Sequence, residues 1–388
     1  MTACMIGWAH SKFGKLEGED IESLIVRVAG EALKDAGIAP ADIDEIFLGT
    51  FNGGFARQEF PSSLVLQLDP ALRFKRTTRV ENACATGSAA IYQGLNSIAA
   101  KRARFVLAVG VEKMTDVTGP QVGDILIRAA YLREEGEIAG GFAGVFGRIA
   151  ETYFQRYGDR SDALARIAAK NHKNGAVNTL AQMQKDLGYE FCRTVSEKNP
   201  LVAGPLRRTD CSLVSDGAAA VVLADVDAAL SARKAVVFRA AEQVNDFLPM
   251  SKRDIIAYDG PTLAWQRALG SANVKLDDLS AAEVHDCFTV AELLTYEAMG
   301  LTPRGQGARA IEEGWVEKDG KLPVNPSGGL KSKGHPIGAT GVSMHVLQAM
   351  QLTGTAGPIQ VKDADLCAVF NMGGAAVANY VSILERLR

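Results

Sequence analysis

The sequence predicts an α/β fold of layered strands and helices, made of two similar halves, with a helical segment inserted into the first half. Three observations carry that expectation. Apolar runs of strand length alternate with amphipathic runs of helix length along most of the 388 residues. The pattern of the first half returns in the second. Residues 118–214 break the alternation with amphipathic helices and with Gly-rich and charged connections. A chain of this length exceeds one simple core and is expected to divide. The division read from the pattern is 1–117 together with 215–235, the insert 118–214, and 236–388.

In order along the chain, "IESLIVRVAGEALKDAGI" (21–38) has helical apolar spacing, and Gly37 fits its C-terminal stop. "DIDEIFLGTF" (42–51) reads as a short strand, "SAAIYQGLNSIAA" (88–100) as a helix and "RFVLAVGVEKM" (104–114) as a buried strand. The insert holds the amphipathic runs "RIAETYFQRYG" (148–158) and "SDALARIAAKNHKNGAV" (161–177). "VSDGAAAVVLAD" (214–225) returns to buried-strand character. In the second half, "SAAEVHDCFTV" (280–290) repeats the strand at 42–51, closing at a loop. "GHPIGATGVSMHVLQAM" (334–350) repeats "NACATGSAAIYQGL", a small-residue turn entering a helix. "ADLCAVFNMGGAAVANYVSIL" (364–384) repeats the strand at 104–114. A site between two such halves would gather residues 84, 285–287, 335 and 370–374.

Composition narrows the function. A net charge of −3 argues against nucleic acid, whose phosphates demand a surplus of Lys and Arg. The 39 Gly fall in short clusters, the mark of close backbone approach rather than low complexity. Six Cys, at 4, 84, 192, 211, 287 and 367, are scattered without C-x-x-C spacing, so a disulfide framework is not expected and a reducing cytoplasm is. "MTACMIGWAHSKFGK" lacks the basic and apolar regions of a secretory signal, and "ILERLR" carries no peroxisomal or lipidation signal. No apolar run approaches the length of a membrane span.

Three stretches carry candidate chemistry. In "VENACATGSAA", Cys84 stands at a helix start among small residues. A lone Cys is more often a buried small hydrophobe. A helix N-terminus, however, favours the thiolate and lowers its pKa below about 8.5, and small neighbours let backbone amides face an oxyanion. In "GGLKSKGHPIGATG", Pro336 stiffens the turn and biases His335 away from helix. A positioned imidazole is a common activator of a thiol. Lys331 and Ser332 follow Leu330 rather than Gly, which argues against a phosphate loop. In "HDCF", His285 and Cys287 are two apart and share one face if the strand continues through them. Two Cys and two His also fit a zinc site, although no pair has finger-type spacing. A cysteine hydrolase, with water as final acceptor, would use the same residue types.

These motifs carry a resemblance. "NACATG" around Cys84, "SDGAAA" after the insert, "HDCF" at 285, "GHPIGATG" at 335 and "NMGG" at 371 stand in the order found in thiolases, and the resemblance runs over nearly the whole chain. Within the family the chain is similar to the sterol-carrier-protein-type thiolases, with "HDCF" where conventional members have "NEAF". The resemblance implies a five-layered α-β-α-β-α fold, the units above being N-terminal, inserted loop and C-terminal thiolase domains. It implies thiolytic cleavage of a 3-ketoacyl-CoA, or the reverse Claisen condensation of acetyl-CoA with an acyl-CoA, by a ping-pong mechanism in lipid metabolism such as fatty acid degradation. Related proteins are condensing synthases, or aldol-type lyases assisted by a small acyl-CoA-binding partner protein. No permanently bound cofactor is implied, with coenzyme A and acyl-CoA as substrates, no metal, no membrane, and a homodimer or homotetramer.

Carried over by motif, Cys84 is the nucleophile that takes the acyl group, and His335 activates it and helps bind the thioester oxygen. His285 helps form that first oxyanion hole; the amide of Cys84 and an amide near Gly373 form a second. Conventional thiolases place a second catalytic Cys before the last Gly loop, where this chain has Phe370. Cys367, three residues earlier in "LCAVF", reads as core, so the acid/base role falls to Cys287, provided its neighbours bring its pKa towards neutrality. Ser212 matches a pantetheine-contacting Ser, while Lys and Arg of the insert read first as solvated charges.

Overall fold

The structure, a computed structural model, describes residues 3–51 and 53–388. The first half opens with β1 (Ala3–His10) and α1 (Ile21–Ala36). Asp20 accepts from the Ser23 amide at 2.8 Å to cap α1, and Gly37 closes it in left-handed backbone at φ 70°. Then come β2 (Glu45–Gly49), β3 (Arg76–Val80), α2 (Thr86–Ala99) and β4 (Phe105–Lys113). Between β4 and the next long strand lie α3 (Gly141–Tyr157), α4 (Ser161–Ala176) and a two-stranded ribbon. The alternation resumes with β5 (Asp216–Asp225), β6 (Val236–Asn245), α5 (Asp259–Ala272), β7 (Ala281–Val284) and α6 (Thr289–Ala298). It ends with α7 (Gly329–Lys333), α8 (Ile337–Leu352), β8 (Leu366–Gly373) and β9 (Ala378–Arg386).

The internal repeat is visible in the pairing. In the first half β2 runs parallel to β4, β4 antiparallel to β5, and β5 antiparallel to β1. In the second, β7 runs parallel to β8, β8 antiparallel to β9, and β9 antiparallel to β6. β3 lies parallel outside β2, and its counterpart beside β7 is a single parallel bridge at Val324. The two half-sheets are not separate. They meet at β1 and β6 through Cys4–Val237 and Met5–Val236, giving one nine-stranded order, β3-β2-β4-β5-β1-β6-β9-β8-β7.

Strand alternation sorts the side chains into cores. Val106 and Ala108 of β4 join the large central core, while Leu107, Val109 and Val111 face the core beneath α1. The central core holds α2 and α8 between the half-sheets, with α1 and α5 outside, the five layers expected. α2 and α8 touch backbone to backbone. A Cβ on Gly341 of α8 would lie 2.2 Å from the Ser88 amide of α2, and one on Gly87 would lie 2.6 Å from the Val342 amide. Gly341→Ala is therefore expected to force the central helices apart. We expect a loss of about 1–3 kcal/mol in a denaturation experiment, with kcat falling further than stability accounts for.

Candidate active site

Both central helices begin at the site. Cys84 stands two residues before α2, and His335 stands at the equivalent place before α8. The turn before α2 is tight: Ala83 takes a left-handed backbone (φ 48°), and Thr86 Oγ1 closes it by donating to the Ala83 carbonyl at 2.6 Å. Cys84 Sγ and one nitrogen each of His285 and His335 lie within 4.8 Å of one another, and the two imidazoles meet edge to face at 5.1 Å. Cys287 is buried beside them, near enough that the Cys84 charge bears on its titration. The strand expected to carry "HDCF" ends at Val284, so His285 and Cys287 sit in the loop between β7 and α6. That loop is antiparallel to the segment before β5: Cys211 bridges Phe288, and the Ser212 amide donates to the Cys287 carbonyl at 2.9 Å.

The histidines are held in opposite tautomers. Asn371 of β8 donates from Nδ2 to the Cys84 carbonyl at 3.1 Å, and its Oδ1 takes the Ser88 hydroxyl at 2.8 Å. A carbonyl only accepts, which fixes the amide orientation. The same Nδ2 lies 2.9 Å from His285 Nδ1, so Nδ1 accepts and the proton of His285 is on Nε2. At His335, Thr340 Oγ1 donates to the Pro336 carbonyl at 3.0 Å and accepts from Nδ1 at 2.6 Å, leaving Nε2 with a free lone pair. Among the described residues neither Nε2 has a hydrogen-bond partner. One imidazole thus offers a donor to the site and the other a base.

Burial governs the charges. It pushes Cys84 up to about 12, with Glu81 and Glu112 adding to the rise, against the pull of the Gly374 amide and its own. The lowering expected from the helix start is overturned, because the thiol is fully desolvated. Cys287 is likewise pushed well above the usual thiol range, first by burial and then by Cys84 and Asp286, rather than towards neutrality. Burial lowers His335 to about 3 and His285 well below the usual imidazole range, with the Lys333 ammonium adding to both. All four groups are therefore uncharged at neutral pH.

The remaining candidates fall as follows. Gly373 ends β8 against the Cys84 turn: a Cβ there would meet the Asn82 carbonyl. The amide facing Cys84 is that of the next residue, Gly374, whose φ is 62°. Cys367 and Phe370 are fully buried within β8, where Cys367 pairs with Ala281 and Phe370 with Val284. Ser212 borders Cys287 through its amide. Cys84, His285 and His335 are close enough to ligate one metal ion; Cys287 is not part of that group.

Several site residues had no role read from the sequence. Asn371 and Thr340, which set the tautomers, lie inside the quoted "NMGG" and "GATG". Asp286 of "HDCF" accepts from the Leu330 and Lys331 amides and from Asn171 Nδ2, tying the loop to α7 and to α4 of the insert. The insert also lays Phe146 of α3 on Phe288, with ring centroids at 4.4 Å. Asn371, Thr340 and Asp286 had motif membership as their only signal, and Phe146 had none; the partners come from distant parts of the chain.

Comparison with known proteins shows the family. Residues 3–227 match the family model "Thiolase, N-terminal domain", and residues 242–386 match "Thiolase C-terminal domain-like". The chain is 35% identical to an acetyl-CoA acetyltransferase of Methanothermobacter thermautotrophicus, over 98% of this chain and 99% of that protein. It is 33% identical to human sterol carrier protein 2, over 96% of this chain and 70% of that protein. Among solved structures, an Ltp2-ChsH2(DUF35) aldolase matches with a TM-score of 0.83 at 22% identity, covering 100% of this chain and 98% of that one. Human mitochondrial 3-ketoacyl-CoA thiolase in complex with CoA matches with a TM-score of 0.75 at 16% identity, covering 100% and 98%. Among the described residues no helix is long and apolar enough to cross a membrane. With both family models matched over most of its length and a cysteine–histidine site between its halves, the chain belongs to the thiolase family and is an acyltransferase of coenzyme A thioesters.

Proposed function

We propose that Cys84, His335, His285 and Cys287 divide the thiolase reaction among them. The observation that carries this is the meeting of the Cys84 thiol with two imidazoles in opposite tautomers. In the cleavage direction, Cys84 Sγ attacks the 3-keto carbonyl of a 3-ketoacyl-CoA while its proton passes to His335 Nε2. The reacting groups are neutral, so the proton moves as the carbon–sulfur bond forms, not beforehand. The oxyanion on the attacked carbon is met by the amides of Cys84 and Gly374, the two that bear on the sulfur. The carbon–carbon bond then breaks, leaving an enolate on the departing acetyl-CoA. Its oxygen faces His285 Nε2–H and the newly protonated His335 Nε2–H. Cys287 gives its proton to the enolate carbon and recovers one from the protonated His335; His335 then takes the proton of the CoA thiol as that sulfur attacks the acyl carbonyl, and returns it to the departing Cys84 sulfur. In condensation Cys287 removes the same proton. One oxyanion donor in such a site is worth on the order of 3 kcal/mol.

Ser212, through its place beside Cys287, lies where the pantetheine arm would pass. The segment 118–214 serves as the substrate-covering domain in this reading, supported by the Phe146–Phe288 stack. A homodimer or homotetramer goes with it: β3 ends the sheet with no strand beyond it among the described residues, and such an edge accepts another. Six unpaired thiols suit a reducing compartment such as the cytoplasm.

The test is thiolysis of acetoacetyl-CoA and longer 3-ketoacyl-CoA, with the acyl-enzyme trapped and located by mass spectrometry. We expect turnover and an acyl mass on the peptide containing Cys84. Turnover without that mass would assign the chemistry elsewhere, and a stoichiometric zinc ion would favour the metal site. Co-purification of a small partner chain, with no thiolysis in its absence, would favour the assisted lyase.

A further inference from the structure

Glu112, the penultimate residue of β4, is almost fully buried (1% exposed) and has no part in the proton transfers above. Its carboxylate takes three hydrogen bonds from two segments. Oε1 accepts from the Thr50 hydroxyl at 2.9 Å. Oε2 accepts from the Phe51 amide at 2.8 Å and from the Gly338 amide at 2.9 Å. Thr50 and Phe51 follow β2; Gly338 is in the first turn of α8, three residues after His335. A single side chain thus joins the ends of two strands to the helix start that carries the base.

We propose that Glu112 is a positioning residue for acylation: it seats the first turn of α8, and with it His335, against the first half of the molecule that carries Cys84, and its ionisation opposes formation of the Cys84 thiolate. This rests on the roles given to Cys84 and His335 above. The electrostatics agree with the geometry. Burial raises Glu112 to about 7, against its three hydrogen bonds and the Arg79 guanidinium. Arg79 of β3 pulls the Glu112 carboxyl down, and the Glu112 charge in turn pushes the Cys84 thiol up. Through neutral pH, then, Glu112 gains a charge that a developing thiolate must oppose.

Glutamine separates the two parts of the role. Its carbonyl oxygen can take the place of Oε2 and accept both amides. Its NH2 can take the place of Oε1 and donate to Thr50, whose hydroxyl also accepts. Glu112→Gln should therefore keep the tie and lose only the charge, whereas Glu112→Ala loses both. The experiment is a pH profile of single-turnover acylation by acetoacetyl-CoA for wild type and both variants, with kcat and KM measured at each pH. For Glu112→Ala we expect kcat about tenfold to a hundredfold lower, with KM nearly unchanged. For Glu112→Gln we expect a profile matching wild type on the acid side and separating through pH 7, with acylation about threefold to tenfold faster at pH 8.5. Profiles for wild type and Gln that superpose over the whole range would overturn the proposal, and this comparison decides alone if Glu112→Ala fails to fold. So would a Gln variant as slow as the Ala variant. The acyl mass on Cys84 is recorded in the same runs. Its absence from wild type would remove the underlying reading, whereas its presence with superposed profiles would remove only the role of Glu112.

Discussion

Cys84→Ala should lower thiolysis by about 10⁴-fold or more while leaving the fold intact. Loss of the nucleophile removes the covalent route entirely, and the histidines and amides around it have no bond to form. The substitution deletes one buried sulfur from a site packed by backbone, so the expected cost in stability is only about 1 kcal/mol. A melting curve close to wild type, together with absent turnover and no acyl mass, is the expected pair of results. Turnover within about tenfold of wild type would show that the acyl group travels on another residue.

The second large effect is expected at Cys287. Cys287→Ala removes the group that exchanges a proton with the enolate carbon but leaves Cys84, His335 and both oxyanion sites in place. General acid–base catalysis contributes about 10²- to 10⁴-fold, and a loss in that range is expected for both cleavage and condensation. Acylation of Cys84 by acetyl-CoA needs no proton at carbon. Exchange of acetyl groups between acetyl-CoA and labelled CoA should therefore continue at near the wild-type rate. Equal loss of the exchange and the condensation would place Cys287 in acylation instead. Cys367→Ala, within β8, should affect stability alone.

Much of this molecule was legible in its sequence, for physical reasons that also explain what was not. Strands such as Phe105–Lys113 are continuous apolar runs because both faces are buried, and such runs stand out. The repeat was legible because equivalent strands face equivalent helices, which imposes the same pattern twice. The union of the halves into one nine-stranded sheet was not, since it rests on two residue pairs between β1 and β6. In the site, the candidate Cys and His residues stood out in Gly-rich turns. The tautomers did not: they depend on Asn371 and Thr340, ordinary polar residues whose partners are set by the tertiary fold. Nor did the elevated thiols of Cys84 and Cys287. A helix start lowers a thiol, but full burial outweighs it, and the depth of burial is not written in the neighbouring residues.

The backbone contact between α2 and α8 has a mechanical consequence. Each half of the molecule presents one side chain of the proposed reaction just before a central helix, Cys84 before α2 and His335 before α8. The distance between sulfur and imidazole is therefore a gauge of how the halves sit on each other, and the sheet joint contributes only two residue pairs to that relation. Stiffness comes instead from glycines pressed together at the helix crossing, where there is no side chain to deform. Heating that loosens this crossing is expected to part Cys84 from His335 while both half-sheets are still intact, so activity measured against temperature should fall before the melting curve does.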